Sequence, residues 1–184
     1  ARLGHCLFYD PVYYLSNPFE IIKVWEGGLA SHGAAIGIPF SIYLLTKKQK
    51  DKTMLWILDR VVIVVALAAV LIRLGNLFNS EILGTATDVP WAFIFARVDD
   101  VPRHPAQLYE AIFYLISFII LYFVYYKTDK KSKQGFIFGF FLVLIFGFRF
   151  FVEFLKIEQS AFEKGMILDM GQLLSIPFII GGLY

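Results

Sequence analysis

Polar and apolar positions along this chain do not alternate on the scale of a strand or a single amphipathic helix; they come in long blocks. Val61–Ile72 reads VVIVVALAAVLI without one polar residue. Blocks of this kind run over roughly Leu29–Thr46, Met54–Phe78, Ala106–Tyr126 and Gly135–Leu155, and a fifth begins near Gln172. A helix rises about 1.5 Å per residue, so each complete block can cross a hydrocarbon core about 30 Å thick. The pattern predicts an all-α polytopic membrane protein. It has four complete transmembrane helices plus a truncated fifth, with no internal repeat. Residues 1–28 are polar and rich in turn formers, which suits an arm lying on the membrane surface. Residues 80–105 are polar and turn-rich as well, an insertion that forms a small head outside the bilayer.

Composition agrees. Of 184 residues, 58% are hydrophobic and only 17% charged. A water-soluble domain of this length needs more polar surface than that. A formal net charge of +2 is too small for a nucleic-acid partner, and no basic stripe follows a helical face. Cys6 is the single cysteine, which excludes an internal disulfide. The chain opens without methionine and stops at Tyr184 inside an apolar stretch, as expected of a segment of something longer.

Charge gives the orientation. KKQKDK (Lys47–Lys52) sets four lysines against Asp51, and KTDKKSK (Lys127–Lys133) four against Asp129. The stretch from Ser80 to Pro105 instead holds Arg97 and Arg103 against Glu81, Asp88, Asp99 and Asp100. Lysine excess marks the cytoplasmic side. Alternating spans place both lysine loops there, with Tyr122, Tyr125 and Tyr126 as an interfacial belt.

The unusual polar residues then gather at the other face. Arg73 ends the second block and Arg149 and Glu153 the fourth, while RHPAQLYE (Arg103–Glu110) opens the third and His32 the first. An arginine in a span costs about 2.5–3.5 kcal/mol at the bilayer centre and less near an end. Taken alone, Arg73 could simply snorkel to the headgroups. Asn76 on the same helical face argues for more, and Gly75 predicts close approach of another backbone. Arg149 and Glu153 stand four apart and are expected to pair, either as a structural tie or so that Glu153 aims the guanidinium fork at an anion. His32 in SHGAAIG and His104 beside Pro105 each read as a packing or capping residue as readily as a base. No metal-ligand spacing, nucleophile elbow or phosphate loop occurs, so no metal and no cofactor are expected. Two arginines within reach of acyl chains suit the phosphate of an anionic phospholipid. An anionic-solute transporter and a non-catalytic phospholipid-binding membrane protein remain alternatives. A transporter would be expected to carry polar residues nearer mid-membrane.

Six stretches, in order, resemble the prolipoprotein diacylglyceryl transferase family: ARLGHCLFYDP, GGLASHGAAIG, RLGNLFNSEILGTAT, RHPAQLYEA, FRFFVEFLK and DMGQLLSIP. The resemblance covers essentially the whole of residues 1–184 as one membrane-embedded domain, without the family's first transmembrane helix and C-terminal end. It implies transfer of the diacylglyceryl group of phosphatidylglycerol to the lipobox cysteine thiol of a prolipoprotein, giving a thioether and glycerol phosphate. It further implies the bacterial cytoplasmic (inner) membrane, with the active site at the extracytoplasmic face. By this resemblance Arg73 binds the lipid phosphate and Arg149 is the second essential arginine. Asn76, Glu81, Gly84 and Glu153 complete the substrate-binding set. His32 matches the histidine often assigned as base, with His104 a second candidate. Two positions depart from the family: Ala34 where a second glycine is usual after His32, and Lys156 where arginine is common.

Overall fold

The computed structural model describes residues 2–3, 6, 11–26, 31–49, 51–129, 133–157 and 168–184, with the side chains of 26, 31–36 and 170 outside that description. Contacts divide the chain into two compact units, residues 1–57 and 58–184.

The first unit carries the short helix α1 (Pro11–Ser16), two 3₁₀ turns (Pro18–Ile22 and Val24–Glu26) and the helix α2 (Ser31–Lys48). Arg2 ties the 3₁₀ segment by donating from Nη2 to the Glu20 carbonyl at 2.6 Å and from Nε to that of Ile21 at 3.3 Å. Lys23 pairs with Glu20 at 2.6 Å.

Helix α3 (Met54–Asn79) leads from the first unit into the second. It is followed by the two-stranded antiparallel ribbon β1 (Phe93–Ile94) and β2 (Pro102–Arg103), then helices α4 (Ala106–Lys127), α5 (Phe136–Val152) and α6 (Met170–Leu183). Among the described residues, three helices are long and apolar enough to cross a membrane: α3, α4, and α5 with the 3₁₀ turn that extends it to Leu155. Their 26, 22 and 20 residues correspond to about 39, 33 and 30 Å at 1.5 Å per residue. Helix α2 coincides with the expected first span but is not one of the three, because its ends (Ser31, His32, Lys47 and Lys48) are polar. The fifth block forms α6, an apolar helix of 14 residues.

The second unit's core follows helical spacing. Val62, Ala66 and Val70 of α3 face Ala111, Tyr114 and Leu121 of α4 and Ile137, Phe141 and Ile145 of α5. Stripes spaced by three, four and seven put these side chains on single helical faces. Opposite faces are apolar and open, with Val64 66% exposed and Leu71 65%. A lipid solvent makes that arrangement favourable, whereas water would not. Helices α5 and α6 meet through Gly139 and Gly182, where a Cβ on either would lie 2.7 or 2.6 Å from the other's carbonyl oxygen. That is the close backbone approach small residues permit in membranes.

One polar tie locks the lysine-loop end of this unit. Asp59 of α3, 1% exposed, accepts from the backbone N–H groups of Gly135 (2.7 Å) and Phe138 (2.8 Å). These are orphan donors at the start of α5, and a carboxylate there also meets the positive end of the helix dipole. Gly135 makes the entry possible, since its φ of 86° lies in the left-handed region.

Candidate functional site

The other end of the three spans carries buried charge. Arg73 lies in the last two turns of α3, and its side chain is 12% exposed. Its Nη1 donates to Asn76 Oδ1 at 3.3 Å, one turn on. Asn76 Nδ2 in turn donates to Glu81 Oε2 at 2.7 Å. For Glu81 to reach back, the chain reverses sharply after Asn79. Ser80 and Ile82, on either side of Glu81, adopt φ of 58° and 57°. A β-branched residue in the left-handed region is strained by about 1–3 kcal/mol. Gln107 clamps the turn, its Nε2 donating to the Glu81 carbonyl at 2.5 Å. Gly75, read as a point of close backbone approach, instead faces open space: among the described residues nothing lies within 4 Å of where its Cβ would be.

The centre of the cluster is Glu110, on the second turn of α4 and 0% exposed. Its Oε2 lies 3.0 Å from Arg73 Nε, close enough for an ion pair but without a hydrogen bond aligned along the N–H. Its Oε1 accepts from Tyr114 Oη at 3.1 Å and lies 3.2 Å from Lys156 Nζ. Lys156 also donates to Glu153 Oε2 at 2.9 Å. A continuous ionic chain thus runs Arg73–Glu110–Lys156–Glu153 across α3, α4 and the end of α5.

The expected pairing of Glu153 with Arg149 does not form. Helix α5 tightens into a 3₁₀ turn over Glu153–Leu155. Three residues per turn eclipse i and i+3, so Glu153 meets Lys156 rather than the residue four before it. What Glu153 gives Arg149 is a backbone N–H to its carbonyl. The glycine Gly171 of α6 packs on the Glu153 carboxylate, whose Oε2 would lie 2.9 Å from an added Cβ. Arg149 bears electrostatically on Tyr114, as does Arg73. Among the described residues its Nε is buried without a hydrogen-bond partner, as are Gln107 Oε1 and Glu110 Oε2. Unpaired buried donors are rare because each forfeits its hydration, so this one calls for an acceptor. Arg73, Arg149 and Lys156 stand against Glu81, Glu110 and Glu153, three cations to three carboxylates.

Lys156 is held by main chain as well. It bridges antiparallel to Gly84, flanked by Thr85 N to Leu155 O (2.8 Å) and Ile157 N to Leu83 O (3.0 Å). Gly84 is needed there because a Cβ would collide with the His104 carbonyl oxygen and sit 2.8 Å from its Cβ. The glycine therefore acts as a packing point between Lys156 and His104.

His104 belongs to a separate chain of contacts. Its Nδ1 is 3.2 Å from Tyr109 Oη, which accepts from Trp91 Nε1 at 2.8 Å. Nearby, Arg103 donates to both oxygens of Asp99, at 2.5 and 3.3 Å. That guanidinium, helped by the Val101 N–H, holds the Asp99 carboxyl below the usual carboxylate range. His32 lies within α2, and its side chain is outside the described residues.

Arg73, Asn76, Glu81 and Glu153 are thus joined in one network. The sequence reading missed its centre: Glu110, Tyr114 and Gln107, with Lys156 noted only for its residue type. A signal existed, because Gln107 and Glu110 are polar residues three apart at the head of an otherwise apolar block.

A family model described as prolipoprotein diacylglyceryl transferase matches residues 1–184. The phosphatidylglycerol–prolipoprotein diacylglyceryl transferase of Chloroherpeton thalassium is 52% identical over 182 residues, 99% of this chain and 68% of the relative. That of Tolumonas auensis is 47% identical over 183 residues, and that of Bacteroides fragilis 52% over 196; each match takes in 100% of this chain and 70% of the relative. With the family model matching residues 1–184 and relatives 47–52% identical across the chain, the protein belongs to the prolipoprotein diacylglyceryl transferase family.

Proposed function

We propose that the protein transfers the diacylglyceryl group of phosphatidylglycerol to the lipobox cysteine thiol of a prolipoprotein. The observation that carries the reading is Arg149 Nε, a buried donor without an acceptor among the described residues. A phospholipid phosphate supplies the missing acceptor and the opposite charge. Family membership favours this over the transporter and lipid-binding alternatives.

In the reaction, the thiol sulfur attacks the glycerol carbon that bears the phosphate. The S–C bond forms as the C–O bond breaks, and the electron pair leaves on glycerol phosphate. Arg73 and Arg149 stabilise that departing anion. Asn76 and Glu81 hold Arg73 from one side and Glu110 from the other, while Gly84 and Glu153 fix Lys156. The thiol proton goes to a base, for which His32 is the first candidate and His104 the second.

The same reading makes residues 1–184 one membrane-embedded domain in the bacterial cytoplasmic membrane, with α2 a fourth span and α6 part of a fifth. The lysine-rich segments 47–52 and 127–133 lie in the cytoplasm, and residues 1–28 on the membrane surface. Residues 80–105 form the extracytoplasmic head over the site. Incubation with phosphatidylglycerol and a lipobox peptide, followed by mass measurement, should show the peptide heavier by one diacylglyceryl group. Arg73→Ala and Arg149→Ala should abolish the product, and Arg73→Lys should restore little, since a point charge lacks the guanidinium fork. Normal turnover in either alanine variant would refute the assignment.

A further inference from the structure

Helices α3 and α4 enclose a groove of about 350 Å³ near the lysine-loop end, lined by Arg60, Val64, Leu67, Phe118, Tyr125 and Tyr126 among others. Its volume lies in the range of roughly 300–1,000 Å³ typical of small-molecule sites. Thirteen residues separate Arg60 from Arg73 along α3, or about 20 Å at helical rise. The groove is therefore distinct from the ionic cluster.

Its chemistry is graded along the helix axis. At one end Arg60 stacks its guanidinium over the Tyr125 ring, 5.5 Å from the centroid. Tyr125 and Tyr126 bring phenol hydroxyls to the same end, which can donate to an oxyanion. Away from that end the walls are Val64, Leu67 and Phe118. Val64 is 66% exposed. Asp59, the carboxylate next to Arg60, turns inward to the start of α5. Arg60 thus sets a cation at the end of an otherwise apolar and aromatic groove.

We propose that this groove binds one anionic phospholipid, its headgroup phosphate on Arg60 and the tyrosine hydroxyls and an acyl chain along Val64, Leu67 and Phe118. A cation and phenols beyond an apolar channel complement a phospholipid end to end. The lipid held here is not the one consumed, because no part of the ionic cluster lines the groove.

Native mass spectrometry of the detergent-solubilised protein, offered phosphatidylglycerol and phosphatidylcholine in equal amounts, tests this. The wild type should retain two phosphatidylglycerol molecules, one at the ionic cluster and one in the groove. Arg60→Gln should lower occupancy of one by about tenfold, as loss of a charge-assisted phosphate contact does. Val64→Trp, which fills the groove without touching Arg60, should do the same, so a folding failure of one variant leaves the other. Both should keep full transfer activity, and Arg73→Ala should remove the other lipid instead, which separates failure here from failure of the transferase assignment. Wild-type phosphatidylglycerol retention in both groove variants would overturn the proposal, as would equal retention of phosphatidylcholine. So would a Val64→Cys protein that a bilayer-soluble maleimide cannot label, because protein would then cover the groove.

Discussion

Glu110 and Lys156 form an ion pair of 3.2 Å in which the two side chains are 0% and 2% exposed. Charges taken this far from water cost several kcal/mol each to desolvate, and the attraction between them repays that only when other partners complete the set. Here they do: Arg73 and Tyr114 on Glu110, Glu153 on Lys156. Glu110→Gln should therefore destabilise the protein by about 3–5 kcal/mol, because it strands Arg73 and Lys156 as excess buried cations. Adding Lys156→Met removes one of them and returns the cluster to its original net charge, so the double variant should be more stable than Glu110→Gln alone. Thermal unfolding in one detergent measures this, and strictly additive losses would contradict a shared network.

The extents of the second, third and fourth blocks were legible in the sequence, while the pairing between them was not. The second block read as Met54–Phe78 is the helix Met54–Asn79, and the third, read as Ala106–Tyr126, is Ala106–Lys127. Length and hydrophobicity suffice for that, aided by Pro105 ahead of one helix and Gly135 ahead of the next. A span apolar on all sides does not disclose which face meets a neighbour, so Glu110 opposite Lys156, 46 positions away, left no pattern to read. The misplaced partner of Glu153 has a narrower cause. The four-residue rule assumes an α-helix, and α5 has already become a 3₁₀ turn at that residue.

Two glycines of the same motif should respond oppositely to alanine. At Gly84 an added methyl meets the His104 backbone, which cannot swing aside. Overpacking of this kind costs about 1–3 kcal/mol and should also displace Lys156. At Gly75, within the last two turns of α3 and with nothing among the described residues near its Cβ position, alanine should be neutral or stabilising by up to about 1 kcal/mol. Melting temperatures of the two variants, with transfer activity alongside, make the comparison. Equal behaviour would remove the packing role given to Gly84.

The head offers a pH signature. Asp99 is held below the ordinary carboxylate pKa by the Arg103 hydrogen bond and then by the Val101 N–H. A lowered folded-state pKa means the contribution is present above the unfolded value of about 3.9 and is lost as pH falls through the lower folded value. Carboxyl chemical shifts should accordingly place the Asp99 midpoint below the ordinary carboxylate value. Arg103→Gln should raise it towards the ordinary value. A midpoint unmoved by that substitution would mean the pair does not set it.

The last expectation separates the two histidines. Tyr109 Oη accepts the Trp91 N–H, and its own single proton can go to His104 Nδ1, 3.2 Å away. A ring that accepts at Nδ1 carries its proton on Nε2 and has no lone pair left for a thiol. In that tautomer His104 is an anchor for the head, and the base role falls to His32. A free thiol titrates near 8.5, so little thiolate exists at pH 7 without help. His32→Gln should lose transfer at pH 7 and regain part of it towards pH 9, while still binding phosphatidylglycerol. His104→Gln should keep much of its turnover and lose stability instead, a loss that alkaline pH does not mend and that Tyr109→Phe reproduces in part. Rate profiles against pH for the three variants decide between them. Alkaline rescue of His104→Gln, with His32→Gln fully active at pH 7, would transfer the proton-accepting role to His104 and require the Tyr109 contact to break during turnover.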